Sequence, residues 1–597
     1  MSTPNNRRRD PGGLSSETIL VWVAIIAVVV VVGPVYVAMH LGHRIAGTGV
    51  TVPGDPFSVV FGLFGGKIPW PGAAGWWVLG GMAAVLLALA VLIGLWVSRI
   101  RRKRSRVDRA ASYMGRGRDV ESLTRKNAQA TAKRLGVESS AGVPIGRAVG
   151  GGQLFYGSWE DMHIDIWGPR TGKTTSRAVP AILDAPGGVM VTSNKRDVVD
   201  ATRDVRARTG PVWVFDPQAI ALEEPTWWWN PLSYVTDEVR AAKLAEHFAA
   251  GSRDPGAKTD AYFDPAGQDL LAGLLLAAAL DHRAITDVYT WLTRPTDDTA
   301  VEILRAKGFT LTADQVAGVI DAPEKQRGGV YGTAQQMASC LTNRQVAAWV
   351  TPRDAADTRP HFDPAGFVRD GGTLYSLSKE GRGTAGPLVT ALTVAVVEAA
   401  EELAARSAGG RLSTPLLGVL DEAANVCRWR ELPNLYSHYG SRGIVLMTIL
   451  QSWSQGVEVW GESGMKKLWS ASNVKVYGGG VSEANFLEDL SRMIGDYDRL
   501  SSSTSYGRGQ RTVSQQLHRE RILDVADLAA MPKGRAVVLA SGTRPTLIRT
   551  QPWMSGPHAD AVRASIAAHD PQAERTIREA ENEAAAVEAA VSIEGAA

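Results

Sequence analysis

Ile166-Trp167-Gly168-Pro169-Arg170-Thr171-Gly172-Lys173-Thr174-Thr175 is the stretch that decides how the rest of the chain is read. Asp161 to Trp167 is strand-like and Thr174 to Leu183 helix-like, so a turn of small residues joins a strand to a helix, the context a phosphate-binding loop requires. Gly168, Pro169, Arg170, Thr171, Gly172, Lys173, Thr174 and Thr175 are therefore assigned to nucleotide binding. Backbone N–H groups of the run would curl round a β-phosphate and Lys173 would reach the β/γ oxygens. The Thr174 hydroxyl would ligate Mg²⁺ at the helix N-terminus. One departure from the full motif stands out: Trp167 occupies the place, five before Gly172, where a glycine is expected.

Hydrolysis needs a second element, and Leu416-Leu417-Gly418-Val419-Leu420-Asp421-Glu422 is an apolar strand ending in two carboxylates. Asp421 would hold Mg²⁺ through its water shell, and Glu422 would orient and polarise the attacking water. Asp-Glu after a strand also suits a helix N-cap; Lys173 upstream favours the catalytic reading. The strand Ile444 to Leu450 ends in Gln451, whose amide either senses the γ-phosphate or faces solvent. The strand Gly188 to Thr192 ends in Ser193-Asn194-Lys195-Arg196-Asp197, read as a surface turn. His163, on the strand before the loop, is read as structural.

Working outward, Pro211 to Phe215 continues a β-α-β rhythm that predicts a parallel sheet. From about Asp237 to Pro352 the patterning is helical, as in Gly267 to Leu280 and Ala313 to Ile320. Strand-like runs return at Gly372 to Leu377, Leu416 to Leu420, Gly443 to Leu450, Val474 to Tyr477 and Arg535 to Leu539. The expected fold is α/β: a nucleotide-binding domain with a parallel-rich central sheet, in two parts (151–236 and 361–556), split by an all-α insertion (237–360). The Ser-rich stretch Ser501 to Thr512 reads as a mobile loop. Residues 557–597 read as an acidic, Ala/Glu-rich tail, a solvated helix or a dock for a basic partner.

The 597 residues carry 64 Lys plus Arg against 61 Asp plus Glu, which excludes a globally basic nucleic-acid coat but not a local basic channel. Two cysteines far apart, Cys340 and Cys427, exclude a disulfide scaffold and a zinc ribbon. No charged residue occurs from Thr18 to Met39 or from Ala73 to Ser98, and each stretch is long enough to span a bilayer as helix. A cytoplasmic N-terminal tail (1–17), a first span (18–40), an extracytoplasmic loop (41–72), a second span (73–98) and a basic stop-transfer linker (99–150) follow. Arg7 to Arg9 and the Arg99 to Arg106 cluster place both termini in the cytoplasm, because positive flanks stay inside.

Two membrane helices, Gly168-Pro-Arg-Thr-Gly-Lys-Thr, a helical insertion, Val419-Leu420-Asp421-Glu422-Ala423, and Ser441-Arg442-Gly443-Ile444 leading to Leu450-Gln451-Ser452-Trp453-Ser454-Gln455 together resemble the type IV coupling proteins of conjugation, the TraG/TraD-like ATPases. Asn473 to Gly478 with the helix around Leu490 to Ile494 is similar to the family's late segment that reads accessory relaxosome proteins. The resemblance implies a RecA-like ATPase in the cell membrane, using ATP and Mg²⁺ as a homohexamer. Such a motor feeds a relaxase-bound, single-stranded DNA to a type IV secretion channel. It puts Lys173, Thr174, Asp421, Glu422 and Gln451 on functional positions and Arg442 as a trans arginine finger, with Arg382 a second candidate. Arg508, Arg511, Lys325 and Arg327 are candidate phosphate contacts on DNA. Trp227, Trp228 and Trp229 either stack bases or pack a domain junction. Competing readings are an FtsK- or HerA-like duplex translocase, a protein-secretion ATPase, and a non-hydrolysing membrane receptor for the relaxosome.

Overall fold

The computed structural model describes residues 16–103, 105–252, 260–381, 383–507 and 510–591. Arg7 to Arg9, Arg104, Arg382, Arg508 and Glu594 lie outside these residues, as does the side chain of Arg511. The chain divides into two compact units. One contains the residues up to Arg109 and Gly495–Ile522; the other contains Ala110–Ile494 and Leu523–Ala589.

Strands in chain order are β1 (Val143–Ala148), β2 (Leu154–Gly157), β3 (His163–Ile166), β4 (Val189–Ser193), β5 (Val212–Phe215), β6 (Thr373–Leu377), β7 (Leu416–Leu420), β8 (Ile444–Leu450), β9 (Val474–Tyr477), β10 (Asp496–Gly507), β11 (Gln510–Arg521), β12 (Arg535–Ala540) and β13 (Thr546–Arg549). Eleven of them form one sheet in the order β2-β1-β13-β12-β9-β3-β8-β7-β4-β6-β5. From β9 to β5 every neighbouring pair is parallel, whereas β12, β13, β1 and β2 extend that block by antiparallel pairing. Helices cover both faces of a parallel block, so its strands are continuous apolar runs; β4, β6, β7 and β8 are buried at every position.

Between β5 and β6 the described chain forms helices and no further strand of the sheet, apart from a single bridge Trp228↔His361; the helices include Glu238–Ser252, Phe263–Leu280 and Glu324–Met337. Trp227 joins this segment to the sheet: its ring meets Trp213, Trp349 and Phe362 with centroids 5.3 to 5.5 Å apart. Trp227 and Trp229 are buried, and Trp228 stands edge-on to His361. The junction reading therefore holds over base stacking for this trio.

Three sequence readings are corrected. Within the supposed linker 99–150, Val143 to Ala148 is a sheet strand, β1, paired with β2 and β13. Of the Ser-rich stretch read as a loop, Ser501–Gly507 lies in β10 and Gln510–Thr512 in β11, which pair in unbroken register from Asp496↔Arg521 to Gly507↔Gln510. The segment after Pro557 is not simply solvated, because Val562 and Ile566 of helix Ala559–His569 share a core with Val179, Ala201 and Val205.

In the N-terminal unit, α1 (Ser16–Ala46), α2 (Pro56–Phe64) and α3 (Gly72–Lys103) follow one another. Among the described residues, three helical segments are long and apolar enough to cross a membrane: Val28–Ala46, Gly72–Leu95 and Phe263–Leu280. The third is not free to do so, since Leu270, Leu271, Leu274, Leu275 and Leu276 are already buried within the helical segment between β5 and β6.

Candidate functional site

The parallel strands bring the motifs to one edge. Ile166 at the end of β3 is in register with Leu450 and Tyr477, while Leu420 of β7 pairs with Thr192 and Thr448. The loop after β3, the carboxylates after β7, Gln451 after β8 and Gly478 after β9 therefore all emerge at the carboxyl ends of the strands, where ligands of parallel α/β sheets bind.

Trp167 sits in the sheet, fully buried, with its N–H donating to Leu450 O at 2.9 Å. The backbone freedom that the missing glycine would have supplied is found on the neighbouring strand end. A Cβ on Gly478 would come within 2.1 Å of the Trp167 ring, and a Cβ on Gly168 within 2.0 Å of Gly480 O. Gly168 N–H donates to Gly479 O at 2.9 Å. The run Gly478-Gly479-Gly480 thus lets the indole and the loop pack backbone to backbone. Sequence reasoning missed it, although three consecutive glycines after an apolar strand are a signal of close approach.

Gly172 adopts φ +85°, which favours glycine. Thr171 Oγ1 donates to Gly168 O at 2.6 Å and Thr175 Oγ1 to Gly172 O at 3.1 Å, closing the loop on itself. Thr174 heads the wide turn Thr174–Ala178, in which Val179 N–H reaches Thr174 O. Behind the loop, buried Arg177 donates to Asp165 Oδ2 at 2.6 Å, meets His163 Nδ1 at 2.8 Å and bonds Pro144 O. His163 is therefore structural, as read.

Lys173 Nζ lies 2.9 Å from Asp421 Oδ1 and is also paired with Glu422. Gln451 Nε2 donates to both Glu422 oxygens, each at 2.8 Å. Glu422 stands at the head of the turn Ala423–Val426 in the left-handed region (φ +55°) and makes no side-chain cap bond. The helix-cap alternative for Asp-Glu is thereby excluded, and Gln451 is no solvent-facing amide. Burial pushes the Asp421 carboxyl up to about 6, with Glu422 adding to the shift and Lys173 opposing it. Burial also works against the Lys173 ammonium, but the two carboxylates outweigh it and hold its pKa above the ordinary value.

The segment after β4 is more than a surface turn. Asn194 Nδ2 donates to Glu380 Oε1 at 2.9 Å, Asn425 Nδ2 donates to the same oxygen at 2.7 Å, and Asn425 reaches Glu422 Oε2 at 3.4 Å. Burial raises the Asp197 carboxyl, an effect that the nearby Lys195 and Lys173 charges oppose. The Glu380–Asn425 link joins residues 45 positions apart and had no signal in the sequence.

Arg442 is not near this cluster. It lies in the turn Gly440–Arg442 before β8, paired with Glu401, so the seven residues of β8 put it roughly 20 Å from Gln451. Arg327 donates to Ile320 O at 2.8 Å within the helical segment, and Lys325 is exposed.

Fold and site together define a RecA-like α/β protein in which the loop after β3 faces a strand end that carries paired carboxylates. Residues 415–533, from β7 to just before β12, match the family model described as the TraM recognition site of TraD and TraG. No curated protein matches the chain. Among solved structures, the bacterial conjugative coupling protein TrwBdeltaN70 in its unbound monoclinic form superposes with TM-score 0.51 at 16% identity, over 72% of this chain and 92% of that one. The plasmid coupling protein TrwB with the ATP analogue ADPNP gives 0.49 at 18% identity, over 71% and 92%. VirB4 of Thermoanaerobacter pseudethanolicus gives 0.39 at 12% identity, over 70% and 98%. The resemblance to the TraG/TraD-like coupling proteins is borne out by the family model over β7 to β11 and by the shared RecA-like fold.

Proposed function

We propose that this chain is the ATP-driven coupling protein of conjugative DNA transfer, linking a relaxase-bound DNA to a type IV secretion channel. The observation that carries the reading is Lys173 held between Asp421 and Glu422, with Gln451 on Glu422, inside a chain whose residues 415–533 match the TraM-recognition segment of TraD and TraG. Solved structures of TrwB include complexes with nucleotide analogues and with ADP and Mg²⁺, and the residues present here fit the same pair. Among the described residues no group of three or more His, Cys, Asp or Glu could hold a metal unaided. Asp421 is a buried carboxylate whose ionisation is opposed by its surroundings, which suits a Mg²⁺ shared between Asp421, Thr174 and nucleotide phosphates.

Bound Mg²⁺ would neutralise charge developing on the transferred phosphoryl group. The chain's own groups do the rest. Gly168 to Gly172 present backbone N–H donors, and Lys173 exchanges its carboxylate partners for phosphate oxygens. That exchange releases Glu422 to orient the attacking water, and Gln451, bonded to Glu422, couples the state of the γ-phosphate to β8. Arg442 acts, on this reading, across a subunit interface of a ring, since it lies at the opposite strand end from its own Lys173. Two spans, α1 and α3, anchor the motor in the cell membrane with both termini in the cytoplasm, supported by their apolar length. DNA, relaxase, accessory relaxosome proteins and channel components are the proposed partners, and a homohexamer the proposed assembly.

The test is ATP hydrolysis by the full chain in lipid nanodiscs, with and without single-stranded or duplex DNA. Lys173→Ala is expected to lose nucleotide binding, and Glu422→Gln to bind ATP without turnover. Wild-type protein that binds ATP but never hydrolyses it, with either DNA, would replace the motor by a receptor.

A further inference from the structure

The segment between α1 and α3 does not project away from them. Tyr36 Oη donates to Gly54 O at 3.2 Å, and His40 Nε2 lies 3.1 Å from Pro53 O. After α1 ends at Ala46 the chain therefore turns back along it by six to ten residues of helix, about 9 to 15 Å. The level of the neighbouring span is fixed by a close approach, since a Cβ on Gly42 would come within 2.7 Å of the Pro71 ring and 3.0 Å of Gly75 Cα. His40 and Tyr36 lie two and six residues below Gly42, so Pro53 and Gly54 sit about 3 to 9 Å inside the level of Gly75. The exposed Trp76 and Trp77 follow immediately on α3, at the place where tryptophans mark a membrane–water boundary.

Helix α2 starts at that depth. Its residues, Pro56-Phe-Ser-Val-Val-Phe-Gly-Leu-Phe64, include one polar side chain, Ser58, and no charge. One face is accounted for: Val59 is buried with Met39 and Ile68, and Leu63, Val35 and Tyr36 pack against them. The other face presents Phe57, Phe61 and Phe64, exposed to 54%, 73% and 86%, at i, i+4 and i+7 spacing. A helix apolar on every side belongs in a core or in lipid, and this one has a core on one side only. The irregular backbone leading to it carries its own polar partners. His43 bonds Thr48 Oγ1 at 2.6 Å and Pro69 O at 2.9 Å, Pro53 and Pro56 have no N–H, and Asp55 caps Ser58 N–H at 2.7 Å. The Asp55 carboxylate suits the headgroup layer and not the bilayer centre.

We infer that α2 is a re-entrant interfacial helix, lying at the headgroup–acyl boundary beside α1 and inserting Phe57, Phe61 and Phe64 among lipid acyl chains. The inference rests on α1 and α3 spanning the bilayer. It makes the segment between them a membrane-embedded brace for the two spans and not a free aqueous loop.

The experiment places single spin labels on the full chain in liposomes of phosphatidylcholine and phosphatidylglycerol. Labels go at Phe61→Cys, Phe64→Cys, Leu87→Cys in mid-span and Arg44→Cys at the α1 end; Cys340 and Cys427 are buried, and the parent protein checks that they stay unlabelled. Relaxation by oxygen is compared with relaxation by a water-soluble nickel chelate. Oxygen-to-nickel ratios at 61 and 64 several-fold above that at 44 are expected. Nickel-dominated relaxation at both, with an oxygen-dominated Leu87 label, overturns the inference alone; nickel dominance at Leu87 as well overturns the membrane-spanning reading with it. Labels at 61 and 64 shielded from both reagents would mean that a protein surface covers α2, which overturns lipid as the occupant.

Discussion

Asp165 and Arg177 form an ion pair with no exposure on either side, tying β3 to the turn that follows the loop Gly168–Gly172. Asp165 Oδ1 and His163 Nε2, also buried, have no hydrogen-bond partner among the described residues. Removing the carboxylate alone, as in Asp165→Ala, would leave a buried guanidinium uncompensated at a cost of roughly 3–5 kcal/mol. Replacing both charges, as in Asp165→Leu with Arg177→Met, removes the desolvation cost with the attraction, and such replacements are often close to neutral. Because unfolding of so long a chain is not two-state, hydrogen exchange of the peptide spanning β3 and the loop is the better readout. The single variant should lose protection by about a hundredfold to a few thousandfold, taking 1.36 kcal/mol per factor of ten. The double variant should recover most of it. A single variant with unchanged protection, or a double variant no better than the single, would refute the view that this pair holds the loop in place.

Three further outcomes are expected. The Asp421 carboxyl stands at about 6 against 3.8 in an unfolded chain, so the folded state holds a proton that the unfolded state has lost and stability falls as pH rises from about 4 to about 6. Asp421→Asn should flatten that slope in pH-dependent exchange measurements. Gly480→Ala places a methyl 2.7 Å from Thr171 Cγ2 at φ +76° and should weaken binding of a fluorescent ATP analogue several-fold. Gly542→Ala, with a similar φ and nothing within 4 Å, should leave that binding unchanged. Arg442→Ala and Lys173→Ala proteins, each inactive alone, should regain hydrolysis when co-assembled if Arg442 acts on a neighbour's site; mixed rings with no activity would remove Arg442 from the mechanism.

What could be read in the sequence was the block of parallel strands, because burial on both faces writes them as uninterrupted apolar runs bounded by polar residues: Leu416 to Leu420 before Asp421, Ile444 to Leu450 before Gln451. Of the antiparallel extension only β12 was legible; the other three strands were not, for physical reasons. β1, β2 and β13 are short strands of mixed residues, and the register of β1 against β2 shifts between Pro144 and Gly146. β10 and β11 pair Ser, Thr, Gln and charged residues, so no alternation of apolar and polar residues marks them as strands. Within the site, Lys173, Asp421 and Glu422 were legible as motif residues. Gly480, Glu380 and Asn425 were not, since their roles arise from contacts between segments far apart in the chain.

The central claim, that ATP turnover at Lys173 and Glu422 moves DNA, is tested most directly by displacement of streptavidin from a biotinylated oligonucleotide by the full chain in nanodiscs. ATP-dependent displacement that Glu422→Gln abolishes while still binding nucleotide is the predicted result. ATP hydrolysis with no displacement from single-stranded or duplex DNA would contradict the account.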